Sequence, residues 1–193
     1  MKQLIVTTIL ILHFCCAKTQ QLFTRFQDLQ LEDSKGNIIN TTSLLGKTIY
    51  IDFWFTACAP CLKEIPFSNA LQRFFEKDTN IVFVTICIEN VERKLIWQQL
   101  IQQNEMKGIN LFYALNRPQK VNLLRTYNIT FPTYILVSNK MELIGYNAPR
   151  PSEKGWVHWA IYSAAQGATL QESKQEMNKN AEGFKRFINE HHF

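Results

Sequence analysis

Residues 51–61 read Ile51-Asp52-Phe53-Trp54-Phe55-Thr56-Ala57-Cys58-Ala59-Pro60-Cys61. The apolar, β-rich run Thr48 to Phe55 reads as a buried strand. Leu62 to Lys77 then places Leu62, Ile65, Phe67, Leu71, Phe74 and Phe75 at roughly helical spacing. A further apolar run, Ile81 to Ile88, completes a strand, helix, strand unit, which implies parallel pairing and a right-handed crossover. The two cysteines fall just past the strand and at the start of the helix. Unpaired backbone N–H groups and the positive end of the helix dipole stabilise a thiolate there. Cys58 is expected to be the exposed nucleophile, and Cys61, one turn further in, the resolving thiol.

Outward from this unit, Leu22 to Leu31 alternates partially before the turn chemistry of Asp33-Ser34-Lys35-Gly36-Asn37 and Ile38-Ile39, which predicts an N-terminal hairpin. A second helix is expected over Val91 to Met106, with Ile96, Trp97, Leu100 and Ile101 on one side and Gly108 ending it. Leu111 to Leu115 reads as a short strand. Pro118 suits the first turn of a helix carrying Val121, Leu124 and Tyr127. Tyr134 to Val137 and Glu142 to Gly145 flank Ser138-Asn139-Lys140-Met141 as a late hairpin. This order predicts a three-layer α/β/α sandwich around a central mixed sheet over residues 21–152, with an N-terminal β-hairpin and an extra α/β insertion. Residues 153–193 read as a helical, polar C-terminal extension. In it Trp156 to Ala165 buries Trp156, Trp159, Ala160 and Ser163, Gln166 to Asn180 forms a solvated helix or loose tail, and Phe184, Phe187 and Ile188 dock a last turn.

The 193 residues carry 21 Lys+Arg against 16 Asp+Glu, a net charge of +5, with 46% hydrophobic residues, 7 Gly, 6 Pro and 5 Cys. This excludes disordered and collagen-like chains, and the cysteines are too few for a disulfide-dense miniprotein. The basic residues form no stripe able to neutralise phosphates, so nucleic acid is not expected as a partner. Lys2, the apolar run Leu4 to Leu12 and the ending Cys15-Cys16-Ala17 describe a secretory signal peptide over residues 1–17, too short to span a bilayer. A lipoprotein acylated at Cys15 or Cys16 is the rival reading, which Phe14 fits poorly. Export places the mature chain in an oxidising compartment such as the periplasm or cell envelope, where a C-x-x-C can cycle as a disulfide.

Taken together, the segment 51–61 resembles the active-site segment of thioredoxins. Pro66, five residues after Cys61, the stretch Thr130-Phe131-Pro132-Thr133, and Gly46-Lys47 before the first central strand agree with it. The hairpin, the extra helix and the signal peptide narrow the resemblance to the exported TlpA/ResA-like branch of thiol-disulfide oxidoreductases, and Ala148-Pro149-Arg150-Pro151-Ser152 resembles a tail motif of its bacterial members. The resemblance implies disulfide exchange with exported proteins that bear thiols or disulfides, apocytochrome thiols among them, in the reductase direction. In that direction the chain would need a membrane electron donor; a monomer and no cofactor are expected. Trp54, Pro60, Phe131 and Pro132 become supporting or substrate-binding positions. A cis Pro132 would set the Phe131 backbone against the C-x-x-C to pair with an extended partner, an ordinary trans turn being the alternative. Asp52, in an otherwise apolar strand, is expected to have a raised pKa and to serve as acid/base for Cys61; a hydrogen-bonded structural Asp is its rival. Glu64 is either a similar group or a solvated helix position. The family usually has Trp where this chain has Ala57, so the surface beside Cys58 lacks a large aromatic face. Cys87 reads as a small apolar core residue.

Two other functions fit a protein of this kind. A peroxiredoxin wants Thr three residues before its reactive Cys, whereas Thr56 lies two before Cys58. A redox-inert metal carrier on the same fold resembles C-x-x-x-C with a downstream His, and this chain has no His between His13 and His158. A zinc half-site would need ligands beyond Cys58 and Cys61, and Cys87, His158, His191 and His192 stand at no recognisable spacing, so no metal site is expected.

Overall fold

The computed structural model describes residues 24–114 and 117–190. The expected signal peptide, with Cys15 and Cys16, lies outside the described residues. Seven strands form one sheet: β1 (Gln30–Asp33), β2 (Ile38–Asn40), β3 (Thr48–Trp54), β4 (Ile81–Glu89), β5 (Ile109–Ala114), β6 (Thr133–Val137) and β7 (Leu143–Gly145), in the order β2-β1-β5-β4-β3-β6-β7. β3 pairs in parallel with β4 and β4 with β5, while the N-terminal hairpin joins β5 antiparallel and β6 joins β3 antiparallel. The sheet is mixed, and the predicted hairpin supplies one edge.

Alternation along β3 divides the core. Ile49, Ile51 and Phe53 face one side with Val84, Ile86, Ile88, Ile135 and Val137. Leu123 and Tyr127, at the end of α3 (Arg117–Thr126), cover that side with Phe26 and Leu29. Tyr50 faces the other side with Phe83, Tyr134 and Leu136, beneath α1 (Ala59–Phe74) and α4 (Trp156–Ala165). Helices on both faces make the expected three-layer α/β/α sandwich. A third cluster joins Trp54, Cys58, Cys61, Cys87 and Phe112 to Trp97 of α2 (Lys94–Gln103).

Several local expectations change. α1 begins at Ala59, three residues before the predicted start, because Cys58 caps it and Pro60 fits the first turn. Its buried stripe runs Cys61, Glu64, Ile65, Ser68, Leu71, which turns Phe67 outward at 40% exposure. Val91–Arg93 is a separate 3-10 turn before α2, and Trp97 alone is fully buried there. α4 buries Val157, His158, Ala160, Ile161, Ser163 and Ala164, whereas Trp156 and Trp159 are half-buried. The polar stretch after it is ordered as α5 (Leu170–Lys179), started by a capping box in which Thr169 and Glu172 exchange hydrogen bonds. α6 (Ala181–Glu190) follows and buries Phe187.

Candidate active site

Cys58 and Cys61 form a disulfide, with their Cα atoms 5.2 Å apart. Cys58 is the N-cap of α1: its Sγ lies 3.2 Å from the Cys61 backbone N–H, which donates to it, and its carbonyl accepts from Leu62 N–H at 3.0 Å. A sulfur at this position meets unpaired helix donors and the positive dipole end, conditions that favour a thiolate once the bond is reduced. Both residues are only 2% exposed, which corrects the expectation of an exposed Cys58. The pair belongs to a buried cluster that includes Trp97 and Phe112, brought in by α2 and β5 from elements remote in sequence, with Leu62 and Phe131 packed against it. Exposed Ala57, Ala59 and Pro60 form the rim around the thiols. Cys87 is fully buried in the same cluster.

Asp52 lies on the face of β3 that carries Tyr50 and Trp54, directly across from Tyr134 of β6. It is buried, and among the described residues its Oδ1 has no hydrogen-bond partner. Burial, and secondarily the charge of Glu64, pushes its carboxyl up to about 8. Burial also holds the Tyr134 hydroxyl in its protonated form, far above the usual range. Glu64 is buried rather than solvated, and its carboxylate binds the backbone N–H and hydroxyl of Ser152. Trp54 is buried in the same cluster as the cysteine pair.

The Phe131–Pro132 peptide bond is cis. Phe131 is half-buried, its ring edge-on to Phe55 at 5.0 Å, and Thr130 and Thr133 bond one another to close the turn. The sequence reading missed one set of residues here. Thr56, two residues before Cys58, is held by Glu89 and Arg93. Glu89 could have been flagged by the argument that flagged Asp52, a carboxylate at the end of an apolar run. Among the described residues no group of three or more His, Cys, Asp or Glu could hold a metal ion, and no helix is long and apolar enough to cross a membrane.

The sheet order, the helices on both faces and a C-x-x-C disulfide capping the first helix define a thioredoxin-like protein. The model of the Redoxin family matches residues 21–154, and the chain belongs to that family. It is 28% identical over 116 residues to the thiol-disulfide oxidoreductase ResA of Bacillus subtilis, a match covering 59% of this chain and 60% of that protein. It is 26% identical over 133 residues to ResA of Bacillus thuringiensis, covering 68% of this chain and 72% of that one. The solved thioredoxin domain of a thiol-disulfide oxidoreductase from Bacteroides vulgatus superposes with a TM-score of 0.61 at 22% identity, over 72% of this chain and 94% of the other, and shows the same fold.

Proposed function

We propose that this chain is an exported thiol-disulfide oxidoreductase that reduces disulfides of partner proteins in the periplasm or cell envelope. The observation that carries this reading is the Cys58 sulfur at the cap of α1, accepting the Cys61 N–H. In the reduced protein, the Cys58 thiolate attacks one sulfur of a partner disulfide. That bond breaks, the partner's other sulfur leaves as thiolate, and a mixed disulfide forms on Cys58. Cys61 then gives up its proton, with Asp52 as acceptor, and attacks the Cys58 sulfur. The partner leaves as a dithiol, having gained two electrons, and the Cys58–Cys61 disulfide remains. A membrane dithiol donor returns the pair to the reduced state. The Phe131 backbone, with Pro132 after it, pairs with the partner's extended segment, and Trp54 and Pro60 support the pair from beneath and from the rim. Thiols of apocytochromes are one partner class that the likeness to ResA suggests.

The test uses the mature chain with a defined disulfide peptide. Cys61→Ser should accumulate a mixed disulfide on Cys58, detected by mass, whereas Cys58→Ser should accumulate none. Absence of both trapping and turnover in the reduced wild type overturns the reading.

A further inference from the structure

The end of β4 and the turn after it hold a polar network that the exchange steps do not use. Glu89 is 7% exposed. Its Oε2 accepts from the Thr56 hydroxyl at 2.9 Å, and its Oε1 accepts from the Asn90 N–H at 3.2 Å. Arg93 Nε donates to Thr56 Oγ1 at 2.7 Å and lies 3.2 Å from Glu89 Oε2. A guanidinium has five N–H donors, and only the one on Nε is engaged in this way. Among the described residues the two terminal nitrogens have no partner, and the Arg93 side chain is 40% exposed.

The strand order places this network. β3 has β4 on one side, with Trp54 opposite Cys87, and β6 on the other, with Phe53 opposite Thr133. The Cys58 turn leaves the end of β3. It is therefore flanked by the Glu89–Arg93 connection after β4 and by the Thr130–Pro132 connection before β6. Neighbouring strands stand about 4.8 Å apart, so crossing from one flank to the other takes about 10 Å, or three residues of extended chain. Ala57, small and exposed between Thr56 and Cys58, leaves that path open.

We propose that Arg93 is a specificity residue that receives the carboxylate of an Asp or Glu two or three residues from the partner's reacting cysteine; this rests on the exchange reaction proposed above. Glu89 and Thr56 are positioning residues. By holding Nε they aim the planar fork of terminal N–H groups outward, where it matches a carboxylate bidentately. Glu89 offsets the guanidinium charge, so selection comes from directed donors at close range and its size is modest.

The test compares two disulfide peptides that differ only in Glu or Gln, placed two and then three residues from the cysteine, and reads the ratio of kcat/KM within each protein variant. The wild type should favour the Glu peptide about threefold or more at low salt, with the preference shrinking at high salt. In Arg93→Gln the ratio should fall to about one, and Arg93→Lys should retain part of it. Because each ratio is internal, a loss of folded protein cancels. If Arg93→Gln does not fold, Arg93→Lys and the salt dependence of the wild type decide. A wild-type ratio of one, or one that survives in Arg93→Gln, overturns the inference while leaving the exchange reaction standing. Failure to reduce either peptide and a small uncharged disulfide overturns the exchange reaction and the inference with it.

Discussion

Glu64 and Ser152 are joined twice: Glu64 Oε2 accepts the Ser152 backbone N–H at 2.9 Å and Oε1 accepts the Ser152 hydroxyl at 2.8 Å. The Tyr50 hydroxyl adds a third tie to the same segment, donating to the Pro149 carbonyl at 2.6 Å. The segment after β7 is thus fastened to the active-site helix and to the central strand at once. A buried carboxylate is tolerable only with such partners.

Ser152→Ala removes one of the two donors to Glu64 and leaves that carboxylate oxygen buried. The expected cost is about 1.5–3 kcal/mol, the range for hydrogen bonds to charged groups. Urea unfolding at neutral pH with the disulfide intact checks it; an unchanged midpoint at constant slope would show that the hydroxyl bond contributes nothing. Glu64→Gln has a second expected effect. Glu64 is the lesser cause of the raised Asp52 pKa, so the variant should lower that pKa while burial keeps it above the ordinary value.

Asp52 makes stability depend on pH. Its carboxyl is raised from 3.8 to about 8 in the folded protein, so the folded state holds a proton that the unfolded chain releases. The stability it contributes is fully present below about pH 4 and is lost as pH rises to about 8. The loss is on the order of 4 kcal/mol by pH 7. Asp52→Asn should therefore stabilise the oxidised protein increasingly from pH 5 to 8, with little effect at pH 4. Thermal unfolding across that range checks it, and a pH-independent difference between the two proteins would refute it. On the proposed mechanism, in which Asp52 accepts the Cys61 proton, the same variant should also slow the resolving step, measured as the decay of the mixed disulfide.

What sequence could resolve followed the range of the forces involved. Thr48–Trp54 and Ile81–Glu89 are legible because each is a largely apolar, β-rich run, and the C-x-x-C is legible because strand end and helix start are both local signals. The start of α1 lies before the sequence expectation because Cys58 caps through its sulfur, and Cys is outside the usual capping set. Phe67 satisfied a loose helical template but lies outside the stripe that the sheet covers. Cys58 shares its buried cluster with Trp97 and Phe112, and Glu64 is bonded by Ser152, 88 residues away. No local pattern carries those pairings. Glu89 is not legible from the apolar run, which stops at Ile88, one residue before the strand does.

Gly108, at the entrance to β5, tests how tightly the insertion is joined to the core. Its φ is +77°, and a Cβ there would come within 2.5 Å of Gln72 Oε1 and 2.8 Å of the Phe83 carbonyl oxygen. The Gln72 side chain can withdraw, but the Phe83 carbonyl belongs to β4 and cannot. Gly108→Ala combines a backbone penalty with a steric one and should cost about 2–3 kcal/mol. An unfolding midpoint equal to that of the wild type would mean that β4 and the α2–β5 turn are not rigidly apposed.

Phe187 decides whether the last helix belongs to the fold. It is the buried residue of α6, with its ring 5.2 Å from that of Trp159 and 5.3 Å from that of Tyr162, both on α4. Phe184 adds a second edge contact to Trp159 at 5.9 Å. Full burial of a Phe is worth about 3–5 kcal/mol on truncation. The contacts of α6 are to the helices α4 and α5, however, so it can detach without unfolding the sheet, and the observable cost is capped by its docking free energy. Phe187→Ala should therefore release α6 locally: amide protection should fall over Ala181–Glu190 and proteolysis should become faster after Asn180, with the global unfolding midpoint shifted far less than a core truncation would shift it. Protection undiminished in α6 would show that Phe184 and Ile188, which pack near Gly155, hold the helix without Phe187. A full loss of several kcal/mol in global stability would show instead that α4 and α6 unfold only with the sheet.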